Sequence, residues 1–239
     1  MTKNGNGKLI LSGANTYDGT TTIAEGSLRA ADDDALGNTT GNTTVASEAA
    51  LELIGGITIA SGEDLTLVGT GEDSTGALRN ISGDNFYNGN ITLSTSAVRI
   101  NSDSGTLTIG GTISNGSIGL TFGGVGNITV NGVIGNGAGT VTKDGTGTLT
   151  LAGNNSYTGT TSITNGIVAI THANALGKNG ETLSTTTVSD GATLSISHAS
   201  TINVPEPITI SGTGVLSAGA IQFTGSGANT YSGAIILGA

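Results

Sequence analysis

The sequence predicts an all-β chain wound as a parallel β-helix, a β-solenoid of roughly 11 coils. Three observations carry this expectation. A phrase built on Tyr-x-Gly recurs at nearly even intervals, at Tyr17, Tyr87, Tyr157 and Tyr231, and these are all the tyrosines the chain has. Shifting Thr2 onto Thr142 superimposes 2–37 on 142–177 with nearly half of the positions identical, which marks a repeat array. Short apolar alternations then fill the chain, and three of them centre on the evenly spaced Thr108, Thr129 and Thr150. That spacing suits one circuit of a three-sided coil, and stacking at about 4.8 Å per strand makes a rod on the order of 50 Å long. A barrel or a sandwich could use the same strands, but neither would return Tyr-x-Gly at such regular places along the chain.

The elements follow from residue order. Thr2-Lys3-Asn4-Gly5-Asn6-Gly7 matches Thr142-Lys143-Asp144-Gly145-Thr146-Gly147, so the chain opens on a junction that recurs inside it. Leu9 to Ile23 matches Leu149 to Ile163, and both copies close on Ala-Leu-Gly, at 35–37 and 175–177. Period-two triplets such as Leu51-Glu52-Leu53, Ile57-Thr58-Ile59, Leu65-Thr66-Leu67, Ile91-Thr92-Leu93, Leu107-Thr108-Ile109, Ile128-Thr129-Val130, Leu149-Thr150-Leu151 and Ile208-Thr209-Ile210 read as strands with aliphatic residues inward and Thr toward water. Turn residues such as Gly110-Gly111, Asn131-Gly132 and Asn165-Gly166 bound them, because Gly and Asn tolerate positive φ. Helical periodicity is absent except for a single turn expected at Asp32 to Leu36 and Asn174 to Leu176, with Asp34 and Asn174 as caps. No compositional break divides 1–239, so one domain is expected, built of a full repeat unit (1–140) and a partial second unit (141–239). Both ends read as cuts through a longer array, and exposed terminal strands predict head-to-tail self-association.

Composition narrows the function. Gly supplies 42 residues and Pro two, so glycine is turn punctuation, and with aromatics at 3% the core must be built from Ile, Leu, Val and Ala. The net charge of −10 and the dispersion of Lys3, Lys8, Arg29, Arg79, Arg99, Lys143 and Lys178 exclude a nucleic-acid stripe. The absence of Cys rules out disulfides and thiolate metal sites. Neither a basic segment leading into an apolar core after Met1 nor an apolar run long enough for a membrane-spanning helix occurs.

The phrase Leu-x-Leu-x-Gly-x-Asn-x-Tyr-x-Gly-Thr-Thr-x-Ile-x-x-Gly, continued to Ala-Leu-Gly, resembles the passenger-associated transport repeat, also called the autotransporter-associated β-strand repeat. Residues 9–37 and 149–177 carry it, and weaker echoes start at Ile81 and Thr224, where Asn90 or Ala234 replaces the Thr-Thr pair. The resemblance implies a right-handed parallel β-helix in the secreted passenger of a type V secretion protein, whose carrier is a C-terminal outer-membrane barrel. It also implies a bacterial cell-surface location, a role in passenger translocation and folding, and use of the rod as an adhesin stalk. It carries over no catalytic residue and no cofactor. Coil-by-coil growth would bias an exported chain against sliding back. The alternative is a binding module whose own side face takes a glycan or a host-surface protein.

The candidate sites have plainer readings beside them. Asp103-Ser104-Gly105 resembles a protease nucleophile motif, yet Ser104 precedes a strand where a turn is expected, and His172 and His198 lie in no recognisable triad setting. Asp32-Asp33-Asp34 offers oxygen ligands, but the second copy has His172-Ala173-Asn174 there, so an acidic loop is expected rather than a metal site. Gly135-Asn136-Gly137-Ala138-Gly139 lacks the Lys and the following helix of a phosphate loop. The threonines at 108, 129 and 150 suggest an ice-binding rank, which Thr92 and Thr171 break on either side. The markers of the fold are Tyr17, Gly19, Tyr87, Gly89, Tyr157, Gly159, Tyr231 and Gly233. Their rings suit either a sugar-stacking stripe or corners whose hydroxyls cap loop backbone, and the corner reading is preferred.

Overall fold

A computed structural model describes residues 1–135, 137–178 and 185–238. Every strand pair in it is parallel, and the strands stack as a β-solenoid with no α-helix among the described residues. Three stacks form its sides. The first holds seven strands from Thr2–Lys3 to Ile134–Gly135; the second, eleven from Lys8–Leu11 to Ile235–Leu237; the third, eight from Thr58–Ile59 to Ile221–Phe223. Asn203–Val204 and Thr230–Tyr231 form a further pair.

The period-two pattern sets which side chains face inward. In Thr148–Leu151, Leu149 and Leu151 are buried while Thr148 and Thr150 are only partly so. Because parallel strands stack in register, like residues fall into columns: Leu28, Leu51, Leu78, Ile100 and Phe122 lie one above the next, all without solvent exposure. Burying an aliphatic side chain of this size is worth about 1.5–3 kcal/mol, so each coil is stable only on its neighbour.

Thr108, Thr129 and Thr150 pair in register, so the interval between them is one circuit at that point. Elsewhere the step varies. Thr150 pairs with Ala169, a shorter step that leaves Thr171 out of register, while Ile59 pairs with Tyr87 across a longer one. The Thr108 rank therefore holds only those three threonines, between Phe86 and Ala169. A longer rank runs down the first side through Thr2, Thr22, Thr44, Thr66 and Thr92 and ends at Ser114. Unequal steps are absorbed at corners. The turn at Glu72–Ser74, with Asp73 at φ 50° and Ser74 at φ 59°, is reproduced at Val215–Ser217, with Leu216 at 52° and Ser217 at 59°. Both are entered by a glycine of positive φ, Gly71 and Gly214, where a Cβ would lie 2.3 and 2.1 Å from a carbonyl oxygen of Gly76 and Gly219. The side chains of the two turns are unlike, so backbone geometry and the flanking glycines define them.

The segments at Asp32 to Leu36 and Asn174 to Leu176 are hydrogen-bonded turns, not helical ones, and their caps are shifted from the expected Asp34 and Asn174. Asp32 accepts from the Asp34 N–H at 3.0 Å and His172 Nδ1 from the Asn174 N–H at 3.0 Å. The side chain two positions earlier reaches the free N–H, the geometry of an Asx-type turn.

The repeat does not close on a whole number of circuits. Lys3, Ile23, Val45, Leu67 and Leu93 form one inward column on the first side. Lys143, Ile163, Val188, Ile210 and Leu237 form its counterpart on the second side. The later copy starts one side further round, after six circuits on the first stack.

Candidate functional site

The feature that recurs is a corner built around each tyrosine. In the two full copies the ring hydroxyl meets the threonine four positions on, Tyr17 with Thr21 and Tyr157 with Thr161, both at 2.8 Å. Thr161 Oγ1 in turn donates to the Leu176 carbonyl at 3.3 Å, which orients the pair with Tyr157 donating. In the two echoes the residue four on is Ile91 or Ile235, which offers no oxygen. There the hydroxyl donates instead to a backbone carbonyl about one coil earlier: Tyr87 to Glu63 at 2.8 Å, and Tyr231 to Glu206. A buried phenol must find a partner, and the identity of one residue decides which.

The motif around the ring stitches one coil to the next. Asn15 donates from Nδ2 to the Ala35 carbonyl at 2.8 Å, and Asn155 to Ala175 at 2.6 Å. The Tyr17 carbonyl accepts from the Asn38 N–H at 2.9 Å, and that of Tyr157 from Lys178 at 2.8 Å. Ala-Leu-Gly is thus the upper half of the corner. Its glycine, Gly37 at φ 86° or Gly177 at φ 109°, lies so close to the tyrosine that a Cβ would fall 2.5 or 2.7 Å from the tyrosine carbonyl oxygen.

Gly19, Gly89, Gly159 and Gly233 share one motif position but not one environment. A Cβ on Gly89, Gly159 or Gly233 would meet a carbonyl oxygen of the preceding coil at 1.8, 2.4 or 1.9 Å. A Cβ on Gly19 would meet no heavy atom within 4 Å. Tyr87 and Tyr157 are fully buried, and Tyr17 and Tyr231 partly so. Two closed rings leave no continuous stripe on which a sugar could stack.

Two groups of functional weight were not legible in single residues. Lys3 and Lys143, read in the sequence only as dispersed bases, point inward. Lys3 Nζ donates to the carbonyls of Asn4, Gly5 and Glu25, and Lys143 Nζ to those of Gly145 and Asn165. Each ammonium gathers the carbonyls of the turn that opens a full copy. Burial pulls Lys143 down to about 8, against the opposing pull of Asp144. The recurrence of Thr-Lys-x-Gly-x-Gly is the signal that could have found them. Glu63 and Glu206 are the second group, both buried, with Thr43 and Thr186 donating to them at 2.6 Å. Their local sequences, Gly-Glu-Asp and Pro-Glu-Pro, share no pattern that periodicity could detect.

The remaining candidates have structural partners. Ser104 sits in a bend and its carbonyl accepts from Asn80, while Asp103 binds Arg79 at 2.6 Å. His172 and His198 each accept from an N–H two positions on. Asp33 accepts from the Thr58 N–H at 2.7 Å. Asn136, within the glycine-rich run, lies outside the described residues. The ion pairs cluster on the second side, where Arg99 reaches across Gly123 to both oxygens of Asp144, at 2.6 and 3.0 Å.

A family model described as Passenger-associated-transport-repeat matches residues 1–30 and 141–170. No curated protein and no solved structure matches the chain.

Proposed function

We propose that this chain, an autotransporter passenger repeat protein, is a non-enzymatic stalk segment of a surface or secreted passenger that supports export and holds an adhesive part away from the cell. The observation that carries the reading is that both family matches fall on places where one coil is stitched to the next. At 1–30 and 141–170 a buried lysine closes the opening turn and the corner tyrosine is set in place. The following coil then bonds the tyrosine carbonyl and the motif asparagine. A coil that has just emerged is therefore fixed by the one behind it, which suits vectorial folding without a nucleotide.

The test is export of a full-length passenger carrying Tyr157→Asp and Ile163→Asp. Both side chains are fully buried, so an added charge unfolds that corner and the expected result is slower appearance at the surface; unchanged export sinks the proposal. The parent chain on this reading continues into an outer-membrane barrel. Its ligand, a glycan or a host-surface protein, would engage a part beyond the stalk. The last strand, Ile235–Leu237, leaves Ile235, Ile236 and Leu237 49, 57 and 78% exposed. We propose that it pairs head-to-tail with another copy at high concentration.

A further inference from the structure

Two carboxyl groups are closed inside the rod without a counter-charge. Glu63 is 2% exposed and Glu206 1%. In each, Oε1 accepts one threonine hydroxyl, while Oε2 is buried with no partner. Neither belongs to any of the four ion pairs among the described residues. The titratable groups that face Glu63 are Tyr17 from the corner before Thr21–Ile23, Tyr87 from Asn85–Tyr87 and Asp64 beside it. Those that face Glu206 are Tyr157 and Tyr231. All are neutral or negative at neutral pH, so none offsets a carboxylate. The two sites are equivalent positions of the repeat, since a single shift along the chain carries both Thr43 onto Thr186 and Glu63 onto Glu206. The arrangement is kept although the flanking residues change from Gly62 and Asp64 to Pro205 and Pro207.

We propose that Glu63 and Glu206 are protonation locks, neutral acids in the folded rod whose ionisation loosens the coils they occupy, so that the rod is held more firmly in a mildly acidic medium than in a mildly alkaline one. A neutral acid leaves only an uncharged oxygen without a partner at Oε2, whereas a carboxylate would bury a charged oxygen with no donor, and an unpaired buried charge is among the costliest groups a fold can hold. Burial pushes both groups up to about 7, against the pull of the threonine bond, and Asp64 adds to the shift at Glu63. The sign follows. The folded chain holds these protons up to about pH 7 while the unfolded chain releases them near 4.5, so the stabilisation is complete below 4.5 and is lost as pH rises to 7. Within that window each carboxyl raises the unfolding constant about tenfold per pH unit. This inference stands apart from the export reading, because it concerns the rod in solution.

The experiment uses the whole chain. Urea unfolding is followed by far-ultraviolet circular dichroism at pH 5, 6, 7 and 8 for the wild type and for Glu63→Gln with Glu206→Gln. The Gln variant keeps the shape and cannot ionise, so the wild type should lose stability relative to it by up to about 100-fold per pH unit between 5 and 7. Parallel pH profiles overturn the proposal. Should the variant not fold, the wild type labelled at glutamate carboxyl carbon decides by itself. Of its seven glutamates, two should titrate near pH 7, and titration of all of them below about pH 5.5 overturns the locks.

Discussion

The glycine of Tyr-x-Gly offers a controlled comparison, because one motif position meets different surroundings in different coils. None of Gly19, Gly89, Gly159 and Gly233 has a positive φ, so alanine suits the backbone at each, and only space decides the outcome. At Gly89 a new Cβ would stand 1.8 Å from the Glu63 carbonyl oxygen and 3.2 Å from Tyr87 Cε1. Relief requires the coil to lift by roughly 1 Å or more to reach an ordinary contact, and overpacking of this kind costs about 1–3 kcal/mol or more. The shift also breaks the bond from the Tyr87 hydroxyl to the same carbonyl, worth about 1 kcal/mol. Gly89→Ala should therefore destabilise by about 2–4 kcal/mol. Gly19→Ala has open space and should be neutral, or stabilising by up to about 1 kcal/mol through loss of unfolded-state freedom. Urea midpoints at unchanged slope give the difference, with far-ultraviolet circular dichroism as the probe. Equal losses in the two variants would show that the motif needs glycine for some reason other than the coil beneath, and would refute the stacking argument.

Tyr157→Phe and Thr161→Val cut the same 2.8 Å hydrogen bond, so each should cost about 1 kcal/mol in urea unfolding and the double variant should cost less than their sum. Lys143 acts on stability in the opposite sense to the buried glutamates. Its folded value near 8 lies below the unfolded 10.5, so the folded chain releases its proton first and stability rises with pH across that window. The wild type should gain roughly 2–3 kcal/mol from pH 8 toward pH 10.5 relative to Lys143→Met, and coincident profiles would contradict the assignment.

The sequence reveals what stacking repeats and conceals what stacking brings together. Alternation in Leu149-Thr150-Leu151 exposes a strand, and the even interval from Thr108 to Thr129 to Thr150 finds a circuit, because parallel in-register pairing preserves residue type down a column. The shorter circuit from Thr150 to Ala169 and the longer one from Ile59 to Tyr87 escape the same reading, since corners such as Glu72–Ser74 hold extra residues without disturbing the strands. The tyrosines and their glycines are visible as markers, but the choice of hydroxyl partner depends on a residue four positions on and a carbonyl about one coil away. Glu63 and Glu206 are concealed most fully. Acidic residues are ordinarily solvent-facing, and nothing near them in sequence announces that Thr43 or Thr186, a coil earlier, closes over the carboxyl.

The one-side rotation between copies bears on what the repeat conserves. In a three-sided rod the interior demands the same pattern from each side, aliphatic columns with a corner between them, so a copy can begin on any side without loss. The outer surface has no such freedom. The threonine rank of the earlier copy lies on the first side, whereas its counterpart, through Thr142, Ser162, Thr187 and Thr209, lies on the second and ends at Ile236. Many residues shared by the copies point inward or turn the chain, such as Lys3 and Lys143, Tyr17 and Tyr157, Thr21 and Thr161, or Ile23 and Ile163. Outside the threonine rank, where Thr2, Thr44 and Thr66 match Thr142, Thr187 and Thr209, outward residues change: Ile10 becomes Thr150, Arg29 becomes Ala169 and Asp18 becomes Thr158. A module that read a ligand along one flat face would need a whole number of circuits to keep that rank on one side, and the rotation moves it to the next. The rotation therefore fits the proposed reading, in which the repeat winds and locks the rod, better than it fits a single flat binding face.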